Sequence, residues 1–168
     1  MLTIKDDILL NVIDKIPADK FGSEELKSTS QTMLDSLSGH RAIGLAANQC
    51  DIDLRMFVMR TQGRDFVCCN PEILEMGEET SIEREGCLSF PKLYISIRRS
   101  KKIKAKWFDA EGKEYIEDLT GMASVCFQHE YDHLDGILYT QRANRYHVEK
   151  AKKDLKLLHR QRKRVASR

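Results

Sequence analysis

The rhythm of apolar and polar positions changes several times along this chain. Between residues 23 and 37, SEELKSTSQTMLDSL puts Leu26, Met33 and Leu37 on one stripe at helical spacing. Ser23 is placed to cap this helix, Glu24 and Glu25 suit its first turn, and Gly39 is the expected terminator. AIGLAANQ (42–49) follows, too short for a helix and without simple alternation. The next stretch reads as β. LRMFVM (54–59) and DFVCC (65–69) flank a TQGR turn and predict a hairpin. Ile103, Ala105 and Trp107 alternate with Lys102, Lys104 and Lys106, the period of a half-buried strand. Glu111-Gly112-Lys113 then turns the chain into a short partner strand near Tyr115. Helical spacing returns in GMASVCFQHEYDHL, with Thr120 as the expected N-cap and Asp135-Gly136 as the close. A basic helix over about 141–168 carries Val148, Ala151, Leu155 and Leu158 as a narrow apolar stripe. Strands precede the central helix without regular βαβ alternation. The expected class is therefore α+β: a single domain, 1–168, with antiparallel or mixed sheets packed around that helix.

Composition narrows the picture. Of 168 residues, 41% are hydrophobic and 32% charged, which suits a soluble globular protein and excludes a disordered one. No apolar run approaches the ~20 residues that span a bilayer, so no membrane role is expected. MLTIKDDILL carries acids where a secretory signal would be basic and then apolar, which leaves the cytoplasm as the default compartment. Cys50, Cys68, Cys69, Cys87 and Cys126 lack the spacing of a disulfide framework and read as reduced thiols. The net charge of +2 conceals an asymmetry, because residues 150–168 hold nine Lys/Arg and one Asp. A basic tail on an acidic body points to an anionic partner for the tail alone.

The candidate chemistry lies in His129-Glu130-Tyr131-Asp132-His133, an H-E-x-x-H pentapeptide within the expected helix. Side chains four apart share a helix face, so both imidazoles can reach one divalent ion, and Glu130 stands beside the first as a general base. Metal-assisted hydrolysis is the reaction class this implies. A catalytic site needs a third protein ligand. A third His six residues after the second is excluded, since Tyr139 holds that place, and Glu149 sits in the basic tail without a supporting motif. Cys126 shares the helix face but stands seven residues from His133, about 10.5 Å along the axis, and suits a pocket wall better. Cys87, in Glu85-Gly86-Cys87-Leu88-Ser89, lies on an irregular segment between strands and can be delivered from outside the helix.

Three blocks in register resemble the peptide deformylase family over about residues 4–140. The family's G-x-G-φ-A-A-x-Q is similar to Ala42–Gln49, where Ala42 replaces a glycine and Asn48 stands where proline is common. E-G-C-L-S matches Glu85–Ser89, and Q-H-E-x-D-H-L-x-G matches Gln128–Gly136. The resemblance implies removal of the formyl group from the N-terminal formylmethionine of nascent polypeptides. It implies Cys87, His129 and His133 as ligands of one divalent ion, usually ferrous iron in the cell, with zinc, nickel or cobalt able to substitute. Glu130 would move the proton, and the Gln49 amide and Leu88 N–H would meet the oxyanion.

Ile43 and Gly44 would pair with the substrate main chain, with Gly86, Val125 and Cys126 also lining its site. Glu85, held by Arg99 or Arg98, would orient the Cys87 segment, and Asp132 would hold a ligating His or nearby backbone. The basic helix is either a solvated amphipathic helix or a dock for ribosomal RNA. A monomer in the cytoplasm, or in the translation compartment of an organelle or infected host, is the expectation. Two rivals remain: a general metallopeptidase, resting on H-E-x-x-H alone, and a non-catalytic RNA-binding protein, resting on the tail.

Overall fold

A computed structural model describes residues 2–5 and 8–166, with side chains in the last helix as far as residue 157. The expected hairpin forms from Met56–Thr61 (β2) and Arg64–Met76 (β3), in register from Met56 opposite Cys69 to Thr61 opposite Arg64. Gln62 and Gly63 both take positive φ, 55° and 74°, and a two-residue turn of that hand matches the twist of the strands it joins. Lys102–Phe108 (β6) pairs with the outer side of β3, and Glu114–Thr120 (β7) pairs with β6. On the far side of β2, Gly44–Ala46 (β1) forms the other edge, so the sheet runs β1-β2-β3-β6-β7, antiparallel throughout. Thr80–Cys87 (β4) and Phe90–Ser100 (β5) make a separate antiparallel pair.

Between the two sheets runs Met122–Leu134 (α2), which touches β1, β2, β5 and β7. The arrangement is the α+β fold expected, with every described strand pair antiparallel. The inward faces of β2, β3 and β6 bury Phe57, Met59, Phe66, Ile103, Ala105 and Trp107 against Phe127 of α2. Phe57 meets the Phe127 ring edge-on at 5.0 Å. A second cluster holds Glu24–His40 (α1) on the sheet's other side through Leu26, Met33 and Leu37, as their spacing predicts.

Three boundaries differ from expectation. Gly39 lies inside α1, which ends at Arg41 in left-handed conformation (φ 55°), where its N–H reaches the Leu37 and Ser38 carbonyls. Those bonds satisfy the helix end and offset the cost of a non-glycine residue there. Thr120 belongs to β7, paired with Lys102, and the N-cap of α2 is Gly121 at φ 57° and ψ −132°. The strand claims the threonine backbone, and the corner that follows needs a conformation open only to glycine. The basic C-terminal segment is interrupted: Tyr139–Arg142 (α3) stops at extended Ala143, and Arg145–Ala166 (α4) begins anew. Asn144 Oδ1 accepts the Tyr146 N–H at 2.8 Å and starts that second helix. Val148, Ala151 and Leu155 then pack against Leu93, Ile95 and Ile97 of β5, while Leu158 lies outside the described side chains. Among the described residues no helix is long and apolar enough to cross a membrane.

Candidate metal centre and active site

Apart from Met122 and Tyr131, every residue of α2 is buried, including Ser124, Gln128, His129, Glu130, Asp132 and His133. Buried polar groups must find partners, and most of these do. Gln128 fastens α2 to the end of β5: its Oε1 accepts the Ser100 N–H at 3.2 Å, and its Nε2 donates to the Ser100 carbonyl at 2.9 Å. Ser124 donates to the same carbonyl. At the other end, Asn48 Nδ2 donates to the His133 carbonyl at 2.6 Å. These bonds hold the helix that presents the two imidazoles.

Cys87 approaches them from β4. It occupies the last position of that strand, not an irregular segment, and the pairing shifts between Gly86, opposite Tyr94, and Cys87, opposite Phe90. A shift of this kind re-aims the side chain that follows it. The thiol thereby comes to 3.3 Å from His133 Nε2. One donor atom each from Cys87, His129 and His133 lie within 4.8 Å of one another. Sulfur and nitrogen ligands sharing one tetrahedral ion at ~2.3 and ~2.1 Å stand about 3.6 Å apart, so the cluster fits a metal. Cys126 is excluded from it, as its position predicts: burial pushes its thiol pKa well up, and its Sγ lies 3.6 Å from the Ile43 carbonyl.

Charge in the pocket agrees with that fit. His129 Nδ1 faces Glu85 Oε2 at 2.7 Å, which turns Nε2 toward the cluster, the usual arrangement for a metal-bound imidazole. Burial opposes charge on His129, yet the Cys87 thiol and Glu85 carboxylate outweigh it and hold the ring's pKa up, to about 10. His133 is pushed well down by burial and by charged neighbours. Glu130 is raised to about 7, chiefly by burial, and its Oε2 has no hydrogen-bond partner among the described residues. The Cys87 thiol and the unpartnered Glu130 carboxylate thus converge on the two imidazoles, while Glu85 is held by His129 and by Arg99. The centre calls for a cation.

The supporting network differs in part from expectation. Arg99, not Arg98, holds Glu85, with its Nε and Nη2 donating to the two carboxylate oxygens at 2.7 and 3.0 Å. The pair is deeply buried and is no surface ion pair; Arg98 instead bonds Thr80. Among the described residues, the Asp132 carboxylate hydrogen-bonds neither a ligand imidazole nor backbone. It accepts from Arg99 at 2.6 Å and from Arg142 at 2.7 Å, and so acts on His129 only through Arg99 and Glu85. Arg142 and Asn48 are the residues that sequence reasoning missed as supports. Arg142 had no motif to mark it, whereas Asn48 stood out within the first block.

The cluster opens on a groove of about 480 Å³ lined by Ile43, Gly44, Gln49, Gly86, Leu88, Val125, Cys126 and Glu130 among others. Gln49 is fixed by the Ala46 N–H, which donates to its Oε1 at 2.9 Å. Its Nε2 is thereby turned toward Cys87 Sγ at 3.3 Å and Ser89 Oγ at 3.2 Å. Gly44 packs so closely on Glu130 that an added Cβ would lie 2.3 Å from Oε1.

Comparison with known proteins agrees with this geometry. The family model described as polypeptide deformylase matches residues 1–149. Peptide deformylase from Thermotoga maritima is 44% identical over 126 residues, covering 75% of this chain and 76% of its own. The crystal structure of the Thermotoga maritima protein superposes with a TM-score of 0.81 at 38% identity, covering 86% of this chain and 98% of that one. A Met-Ala-Ser-bound class I type b peptide deformylase from Acinetobacter baumannii gives 0.80 at 28% identity, over 84% of this chain and 97% of that one. With a family model matched along most of its length, the chain belongs to the polypeptide deformylase family.

Proposed function

We propose that this chain hydrolyses the formyl group from the N-terminal formylmethionine of new polypeptides, with Cys87, His129 and His133 holding the divalent ion. The observation that carries this reading is three convergent donors beside a buried carboxylate, at the inner end of an open groove. A thiolate with two imidazoles suits ferrous iron, the metal proposed for the cell, and equally accepts zinc, nickel or cobalt. When bound, such an ion lowers the pKa of water and polarises a carbonyl oxygen.

The chain's own residues supply the rest. Glu130, which lines the groove and has one unpartnered oxygen among the described residues, takes the proton from the attacking water and returns it to the departing amine. The Gln49 amide, turned by the Ala46 N–H, and the Leu88 N–H meet the negative charge that develops on the formyl oxygen. β1 forms a sheet edge, and Gly44 at its start, with Ile43 just before it, pairs with the substrate main chain as an added strand. That mode reads backbone, which suits an enzyme acting on many sequences. Ile43, Val125, Cys126 and His129 enclose the methionine side chain.

The metallopeptidase reading loses ground here. Tyr139 donates to the Leu93 carbonyl at 2.9 Å and is no ligand, and Glu149 is exposed beside Lys152. For α4, docking to ribosomal RNA is the proposed role, since its apolar stripe is spent on β5 while Lys150, Lys152, Lys153 and Lys156 face outward. The enzyme would act as a cytoplasmic monomer. The test is anaerobic purification followed by assay on formyl-Met-Ala-Ser. Formate release that disappears in Cys87→Ala is expected; cleavage of an internal amide bond in an unformylated peptide would overturn the reading.

A further inference from the structure

The groove does not end at the methionine site. It continues to a rim formed by His40, Arg41, Arg84 and Lys92, with Glu83 beside them. Exposed cations elsewhere on the molecule are commonly paired: Lys15 with Glu72, Arg64 with Glu117, Lys101 with Glu79, Lys102 with Asp118. Among the described residues, Arg41, Arg84 and Lys92 form no such pair within 4.0 Å. Three unpaired cations therefore line one groove, on a body whose charge outside residues 150–168 is net negative.

Their placement has a length scale. The Tyr94 ring covers Gly86, where an added Cβ would lie 2.6 Å from it, and the Arg84 guanidinium stands 5.2 Å over the same ring. Gly86, Tyr94 and Arg84 thus form one continuous wall leading away from Cys87. Arg84 is three residues from Cys87 along β4, about 10 Å at ~3.3 Å per residue. An extended peptide whose formyl group sits at Cys87 advances at the same rate, which brings its third residue level with Arg84.

We propose that this rim is a specificity site for formylated chains bearing Asp or Glu at their second or third residue. The proposal rests on the deformylase reading above. Arg84, on its tyrosine platform, is the principal contact, and Arg41 and Lys92 add long-range attraction.

The test compares kcat/KM of the metal-loaded enzyme for formyl-Met-Ala-Asp, formyl-Met-Ala-Ser and formyl-Met-Ala-Lys. Exposed charge pairs are individually weak, so the aspartate peptide is expected to exceed the serine peptide about threefold to tenfold, with the lysine peptide below both. The preference should collapse toward unity near 1 M salt, where the screening length is ~3 Å. It should collapse equally in Arg41→Gly/Arg84→Gln/Lys92→Gly. Arg41 and Lys92 have φ of 55° and 68°, which glycine adopts freely, so these two changes leave the backbone unstrained. Equal kcat/KM for the three peptides at low salt, or a preference unchanged in the triple variant, overturns the proposal. No formate from any of the three would instead overturn the deformylase reading and this proposal with it.

Discussion

A carboxylate buried beside a cation-binding cluster has two uses, as a ligand or as a base, and the geometry around Glu130 separates them. Cys87, His129 and His133 form the donor cluster without it, and Glu130 lines the groove with its buried Oε2 unpartnered among the described residues. Glu130→Gln should therefore lower kcat about 10²- to 10⁴-fold, the usual range for general acid–base catalysis, while metal content by elemental analysis stays at wild-type level. The Glu85–Arg99–Asp132 chain predicts a different signature. Arg99→Met leaves buried Glu85 without its guanidinium and Asp132 with half-exposed Arg142 alone, and denaturant unfolding should show a loss of about 3–5 kcal/mol. Arg142 contacts the same Asp132 from a half-exposed position, so Arg142→Ala should cost no more than about 1 kcal/mol. At this scale the sequence was informative where spacing constrains chemistry. His129 and His133 are one helical turn apart, and Cys87 stood in a recognisable block. Arg142 reaches Asp132 only because α3 packs on β5 beside α2, a tertiary fact that no local pattern carries.

Elements were legible where backbone conformation and side-chain pattern agreed. The β2–β3 hairpin joins two apolar runs, with β2 buried on both faces, through a Gln62-Gly63 turn of the right hand, and β6 alternates as its sequence does. Legibility failed where two elements competed for one residue. Thr120 is a good cap by type, yet β7 pairs it with Lys102 and Gly121 makes the corner. The segment after α1 showed no period because β1 lasts only three residues before the chain tightens into a 3-10 turn, Ala47–Cys50. Its glycine is nonetheless the most constrained of the site. Gly44→Ala would drive a methyl into the Glu130 carboxylate at 2.3 Å, from a fixed sheet edge. Overpacking of this kind costs about 1–3 kcal/mol. The variant should fold with a lowered Tm and lose most formate release, because the displaced group is the proposed base.

For the whole molecule, α2 is clasped between a five-stranded sheet and the β4–β5 pair, and each side contributes to the same centre: imidazoles from the helix, a thiol from the smaller sheet, Gln49 from the turn after β1. The C-terminal helix lies outside that clasp, fastened to β5 by Val148, Ala151 and Leu155. Replacing exposed Lys150, Lys152, Lys153 and Lys156 together by glutamate should leave formyl-peptide turnover unchanged and weaken sedimentation with ribosomes at low salt, since phosphate contacts dominate such binding. Undiminished co-sedimentation would remove the ribosomal role from α4. The proposed hydrolysis depends on the strand-end thiol and both helix imidazoles sharing a single ion. X-ray absorption at the metal edge of anaerobically purified protein measures this directly. One sulfur neighbour at ~2.3 Å and two imidazole nitrogens near 2.1 Å are expected, whereas a spectrum with no sulfur neighbour would contradict the account.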